Sequence, residues 1–391
     1  MSYRKLKADY LFDGFCITNA EKVLVLDKDN AIVNIMDRVD AGEDIEEYFG
    51  LLTPGFVNAH CHLELSHMKG LIPKGSGLVD FVFDVVSGRH IGEEKLQESI
   101  AKADRTMYET GISVVGDICN NLSTLFCKRH SNITYFNFLE ASGWLPSVAQ
   151  VRFERAKEFY DEYNKISGNV SIIPHAAYSV SDPLWDLITP YFTGKIVSIH
   201  NQETPCEDQF FLDGTGDLQR MYEKMNIRHT AYLPSGKSSL QTYFPKLSPA
   251  KSAILVHNTF TTSEDIHHIR KHSTEQLVSF CLCVNANKYI ENVLPDVELL
   301  RNSGINMIIG TDSLASNDSL DIVSEMKTIQ NNFPWITLEE TLRWATSNGA
   351  KALQLEDQYG SFTKGSKPGV TLVTNINEMR LSSDSVSRRV A

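Results

Sequence analysis

Two histidines one residue apart, His60 and His62, close the stretch Pro54-Gly-Phe-Val-Asn-Ala-His-Cys-His62, and imidazoles at that spacing can share one divalent cation. The apolar run Leu51–Ala59 ahead of them has the composition of a buried strand. Side chains alternate along a strand, so His60 and His62 face one way and Cys61 the other. Read alone, the pair could equally be two structural histidines. Further polar residues at the ends of apolar runs supply what a cation would still need. Val197-Ser-Ile-His200 ends in a third imidazole, and Glu203 follows three residues later. Leu255-Val-His257 and Ile308-Ile-Gly-Thr-Asp312 end two more runs. Singly, His257 reads as a satisfied core histidine, and Asp312 as a cap ahead of a helix over Ser316–Asn331. Taken together they point to a metal site built at strand ends, and neutral imidazoles suit zinc or iron.

The elements that must position these groups alternate in type. Short apolar runs lie at Leu51–Ala59, Ile112–Gly116, Ile133–Leu139, Val170–Ile173, Ile196–Ile199, Ala253–Val256, Leu277–Cys281 and Ile305–Ile309. Amphipathic stretches separate them, among them Glu93–Glu109, Val151–Ile166, Glu207–Met225, Ser263–His272 and Val297–Asn302. Eight strands with helical connections predict an α/β fold, a (β/α)8 TIM-type barrel whose functional residues follow the strands. A doubly wound open sheet would more often carry a glycine-rich phosphate loop after its first strand, and none is present. Both ends differ in style. Residues 8–39 hold short β-like pieces broken by turns, and 359–376 repeat the pattern around Gly360, Gly365 and Pro368-Gly369. Residues 1–53 and 359–391 are therefore expected to form one small β-sandwich, and 54–358 the barrel. The polar stretch Ser382–Ala391 reads as frayed.

Composition narrows the function classes. The chain has 391 residues, 42% of them hydrophobic, and a net charge of −12, which disfavours nucleic acid or an anionic membrane as partner. Met1 to Tyr10 carries charges without the apolar centre of a signal peptide, and no run is long enough to span a bilayer. Seven scattered cysteines with no C-x-x-C suit reduced thiols, so a cytoplasmic protein acting on a small molecule is expected. Sequence leaves a homodimer open.

The strand-one stretch, His200-Asn-Gln-Glu203-Thr204 and Gly310-Thr-Asp312-Ser313-Leu-Ala-Ser316-Asn317 together resemble the amidohydrolase superfamily, in particular its deaminase and chlorohydrolase branch. The likeness covers nearly the whole chain, and Pro174-His175-Ala-Ala-Tyr178-Ser179 is similar to a substrate-side motif of that branch. Binuclear members carry a bridging lysine after strand four. Here that strand ends Ser171-Ile-Ile-Pro-His175, so the resemblance implies a single divalent metal, zinc or iron, on His60, His62, His200 and Asp312.

It also implies catalytic roles. Asp312 takes a proton from metal-activated water, Glu203 protonates a ring nitrogen and then the departing amine, and His257 orients the nucleophile or stabilises developing charge. Glu64, Ser66 and His67, just past the strand-one ligands, are candidates to line the pocket, as are His175, Ser313 and Asn317. Residues 71–87 pair a glycine-rich hinge with an apolar stretch and read either as a lid or as packing over the mouth. His62-Leu-Glu64-Leu-Ser66 and this segment are similar to deaminases of aminodeoxyfutalosine. The expected reaction is thus hydrolytic removal of an exocyclic amino group from a purine-type nucleoside. An amide or carbon–halogen hydrolase, and a non-catalytic barrel relative, are the alternatives.

Overall fold

Apolar runs too short for helices and punctuated by Gly, Pro and Asp become strands, and they do so in two settings. A computed structural model describes residues 3–19, 21–227, 233–273 and 275–391. The chain opens with β1 (Arg4–Lys7), β2 (Tyr10–Phe12), β3 (Ile17–Asn19), β4 (Lys22–Leu26), β5 (Ile32–Asp37), β6 (Ile45–Glu47) and β7 (Leu51–Pro54). Then come β8 (Phe56–Cys61), β9 (Ile112–Cys119), β10 (Thr134–Ala141), β11 (Val170–Pro174), β12 (Ile196–Asn201), β13 (Ser252–His257), β14 (Leu277–Leu282) and β15 (Asn306–Ile309), and the chain closes with β16 (Val370–Asn377) and β17 (Arg380–Arg389). Each apolar run read from the sequence overlaps one of β8–β15. The first run is split at Gly55, so that Leu51–Pro54 pairs with β16 and only Phe56 onward enters the central frame.

Strands β8–β15 make two parallel four-stranded sheets, β11-β10-β9-β8 and β12-β13-β14-β15. They are buried along nearly their whole length, which is why they read as continuous apolar runs rather than alternating ones. Backbone contacts cross both seams between the sheets. His200 N donates to His175 O at 2.9 Å, and Thr311 N and Asp312 N donate to His60 O at 3.0 and 3.1 Å. Isolated bridges lie at the same seams, Ala176 with His200 and Cys61 with Asp312. Every residue in these two bridges is a candidate ligand or the neighbour of one.

The terminal strands form a second pair of sheets, β5-β4-β1-β6 and β17-β16-β7-β2-β3, the latter drawing on both ends of the chain. Leu6, Leu24, Leu26 and Ile32 of the first meet Leu11, Leu52, Val370 and Leu372 of the second in one apolar cluster. One expectation is overturned here. Ser382–Ala391 is ordered through β17, and Arg389 stacks 4.2 Å from the Tyr108 ring centroid while donating to Ile112 O and Ser113 Oγ, each at 2.9 Å. A sheet-edge strand needs few apolar residues, so its polar composition concealed it.

The helices Glu93–Glu109, Ser263–His272 and Val297–Asn302 coincide with the sequence reading. The stretch Glu207–Met225 is instead two helices, Pro205–Asp213 and Leu218–Lys224, parted where Gly214 and Gly216 take positive φ. The helix expected from Ser316 starts only at Ile322, with Asp321 as its cap, because Ser313, Ser316 and Asn317 are engaged in a turn at the site.

Candidate metal centre and active site

His60 is next to last in β8 with its ring fully buried, and neither ring nitrogen has a hydrogen-bond partner among the described residues. Unpaired polar atoms in the core cost free energy, so such a ring needs an occupant for its lone pair. Its neighbours provide the rest of a coordination shell. His62 Nε2 lies 3.2 Å from His200 Nε2 and 3.4 Å from Asp312 Oδ1, and His60 Nε2 lies 3.7 Å from the same oxygen. Donors about 2.0–2.2 Å from a tetrahedral ion sit roughly 3.3–3.6 Å apart, so these separations fit one cation among four donors. His200 donates Nδ1–H to His175 O at 2.9 Å, which leaves its Nε2 as the lone pair facing His62.

Electrostatics prepare the same groups. Burial pushes His62 down to about 3 and His200 well below its ordinary value, with neighbouring imidazoles adding to the effect, so both are neutral near pH 7. Burial works to raise Asp312, but the contact with His60 and the nearby His62 and His257 outweigh it and hold the carboxyl well below the usual range. Ser316 Oγ donates to Asp312 Oδ2 at 2.6 Å, turning Oδ1 toward the imidazoles. The close approach of β15 to His60 depends on Gly310, where a Cβ would stand 2.8 Å from that of His60. Strain also concentrates here. Gln202, His257, Asn258 and Asp312 all hold positive φ, a conformation costing on the order of 1–3 kcal/mol each where it is not locally favoured.

Two further groups face the ligands. Burial, reinforced by the charges of Asp312 and Glu291, lifts Glu203 well above the carboxylate range, so it carries a proton at neutral pH. Its Oε1 lies 3.6 Å from His257 Nε2. Glu207 fixes this loop by accepting from Glu203 N at 2.9 Å and Gln202 N at 3.2 Å. On its other side, His257 Nδ1 meets Asn287 Oδ1 at 3.3 Å. An amide oxygen only accepts, so the proton sits on Nδ1 and the Nε2 lone pair points at the cavity.

These groups lie in a cavity of about 660 Å³ whose lining includes His62, Glu64, His175, His200, Glu203, His257, Asp312 and Ser313. Three of the residues expected to line the pocket are not in that lining. His67 bonds through Nε2 to Arg89 O at 3.0 Å. Asn317 donates its amide to Thr311 O at 2.9 Å and Glu325 Oε1 at 2.8 Å, bracing the turn that carries Asp312. Ser66 turns its hydroxyl back to Leu63 O. The helix Leu78–Gly88, which overlaps the segment 71–87 read as a lid or packing, forms part of the cavity wall, and Asp80 anchors it to Arg220 and Lys224. Sequence reading missed Glu140, Asn120 and Arg89 in the lining. Glu140 follows an apolar run just as His200 does, so the strand-end rule applied to Ile133–Leu139 would have found it.

Residues 51–385 match the amidohydrolase family. The chain belongs to that family. An adenosine deaminase of Helicobacter pylori is 27% identical to this amidohydrolase over 316 residues, covering 78% of the chain and 75% of the relative. The crystal structure of Helicobacter pylori aminofutalosine deaminase with methylthio-coformycin superposes with a TM-score of 0.81 at 21% identity, covering 97% of this chain and 93% of that one. An adenosine deaminase from Xanthomonas campestris with bound zinc gives 0.69 at 21% identity, over 94% of this chain and 84% of that one. These superpositions identify the α/β fold as that of the amidohydrolases. No described helix is long and apolar enough to cross a membrane.

Proposed function

We propose that this amidohydrolase is a metal-dependent deaminase that hydrolyses the exocyclic amino group of an adenine nucleoside and releases ammonia. The observation that carries the reading is the meeting of neutral His60, His62 and His200 with ionised Asp312, beside a Glu203 that holds a proton. His60, His62, His200 and Asp312 would hold one divalent ion, zinc or iron. When bound, such an ion supplies Lewis acidity and brings water to its nucleophilic form near neutral pH.

The chain's own residues do the rest. Asp312 Oδ1 accepts the proton of the attacking water while Ser316 fixes its other oxygen. His257 Nε2, an acceptor because Asn287 holds the proton on Nδ1, orients that water by taking a hydrogen bond from it. Glu203 delivers its proton to the ring nitrogen beside the reacting carbon, then takes up the proton of the newly added hydroxyl and passes it to the departing amine. The two central sheets, bridged at both seams, are read as a closed (β/α)8 barrel, and residues 1–53 with 359–391 as a separate small β-sandwich.

A cavity of about 660 Å³ holds more than a bare base, and its outer wall includes Phe81, Trp144 and Tyr222, which suits a nucleoside with an apolar substituent on its sugar. Aminodeoxyfutalosine is such a substrate, and it names the finer form of the proposal. Ammonia release by zinc-loaded protein from adenosine, 5′-methylthioadenosine and aminodeoxyfutalosine, with guanine and cytosine as controls, tests it. Turnover of the adenine nucleosides alone is expected, and no ammonia from any of them refutes the reading.

A further inference from the structure

Glu140 is next to last in β10 with a side chain only 4% exposed, and its Oε1, 3.8 Å from His200 Nδ1, has no hydrogen-bond partner among the described residues although the residue lines the cavity. Glu64 lines the same wall, also buried. Asn120 stands beside both, its backbone N–H donating to Glu64 Oε2 at 3.1 Å and its side chain acting to lower the Glu140 carboxyl. These groups follow β8, β9 and β10, adjacent strands of one sheet, whereas Glu203 and His257 follow β12 and β13 in the other. His60 and His62 belong to the β8 end that leads to Glu64, and His200 to the β12 end that leads to Glu203. A bound heterocycle with its reacting carbon toward Glu203 therefore extends its substituent toward Glu64 and Glu140.

A carboxyl oxygen accepts hydrogen bonds through its lone pairs, and a buried one without a donor is costly until a ligand brings one. Two such acceptors side by side match two neighbouring hydroxyls. An ammonium is less suited, because the Arg89 guanidinium lines the same wall and acts electrostatically on both carboxylates. We propose that Glu64 and Glu140 accept hydrogen bonds from the vicinal diol of the substrate's sugar, so that the site selects a ribonucleoside over its deoxy forms. This rests on the deaminase reading above and adds the sugar to it.

The test compares kcat/KM for adenosine, 2′-deoxyadenosine and 3′-deoxyadenosine in the zinc-loaded wild type, Glu64→Gln and Glu140→Gln proteins, with zinc content measured on each. Wild type is expected to lose about 10²-fold when either hydroxyl is missing, as the loss of one hydrogen bond leaves a buried carboxyl oxygen unpaired. In Glu140→Gln, adenosine itself should fall by a similar factor and the penalty for the missing hydroxyl should shrink to within a few-fold, with zinc retained. Wild type that turns over all three nucleosides within about three-fold overturns the inference and leaves the deaminase reading standing, without recourse to any variant. Undiminished discrimination in both folded variants also overturns it. Loaded protein inactive on every nucleoside overturns the deaminase reading, and the inference with it.

Discussion

Glu203→Gln separates proton transfer from metal binding. Glutamine keeps the shape and the hydrogen-bonding reach and removes only the ionisable proton. The side chain is buried, with His257 Nε2 3.6 Å from its Oε1, and its backbone is held by Glu207, so the substitution leaves the loop in place. None of the close approaches among His60, His62, His200 and Asp312 involves Glu203, so zinc content should match wild type. The proton that burial keeps on Glu203 is the one the ring nitrogen needs. A positioned acid–base group typically contributes about 10²–10⁴-fold, which corresponds to about 3–5 kcal/mol of barrier. The assay is the loss of adenine-nucleoside absorbance under saturating substrate, with metal measured on the same sample. A fall in kcat of about 10²-fold or more with KM changed only a few-fold is expected. Near-normal turnover in zinc-replete Glu203→Gln would refute the reasoning and leave Asp312 and His257 to carry the protons, while loss of zinc would make Glu203 a ligand.

Other outcomes follow from individual contacts. Ser316→Ala removes the 2.6 Å bond that orients Asp312 and should weaken zinc affinity about 10–100-fold, read by competition with a chromogenic chelator; unchanged affinity contradicts it. Glu207 and Glu325 are each pushed up to about 8 by burial, so the unfolded chain ionises them near 4.5 while the folded chain keeps them protonated. Their contribution is full below pH 4.5 and is lost as pH rises toward 8, so Glu325→Gln, which cannot ionise, should gain melting temperature relative to the parent protein more at pH 8 than at pH 5.5, and an equal difference at both pH values argues against it. Arg389→Met breaks the bonds from β17 to Ile112 and Ser113 and should cost about 1–3 kcal/mol in denaturant unfolding, whereas a free strand end would show no change.

Much of this architecture was legible because its signals are local. A strand buried on both faces must be apolar throughout, so β8–β15 stood out, and a polar residue ending such a run stood out in turn. That rule located His60, His62, His200, His257 and Asp312. It failed where a fold-level contact decides the outcome. Asn317 looks like a pocket residue in sequence, yet its amide is consumed by Thr311 and Glu325, whose position next to it depends on a helix starting at Ile322. His67 is drawn to the Arg89 carbonyl across the loop. β17 was invisible because an edge strand answers to its partner's backbone, not to a hydrophobic pattern. The tautomer of His257 likewise needs Asn287, thirty residues away in sequence.

The most direct test of the central claim is titration of chelator-stripped protein with zinc while ammonia release from adenosine is followed. The four-ligand site predicts no activity in the stripped protein, a linear rise to a single equivalent of zinc per chain, and a plateau beyond it. Activity without metal, or a rise that continues to a second equivalent, contradicts it.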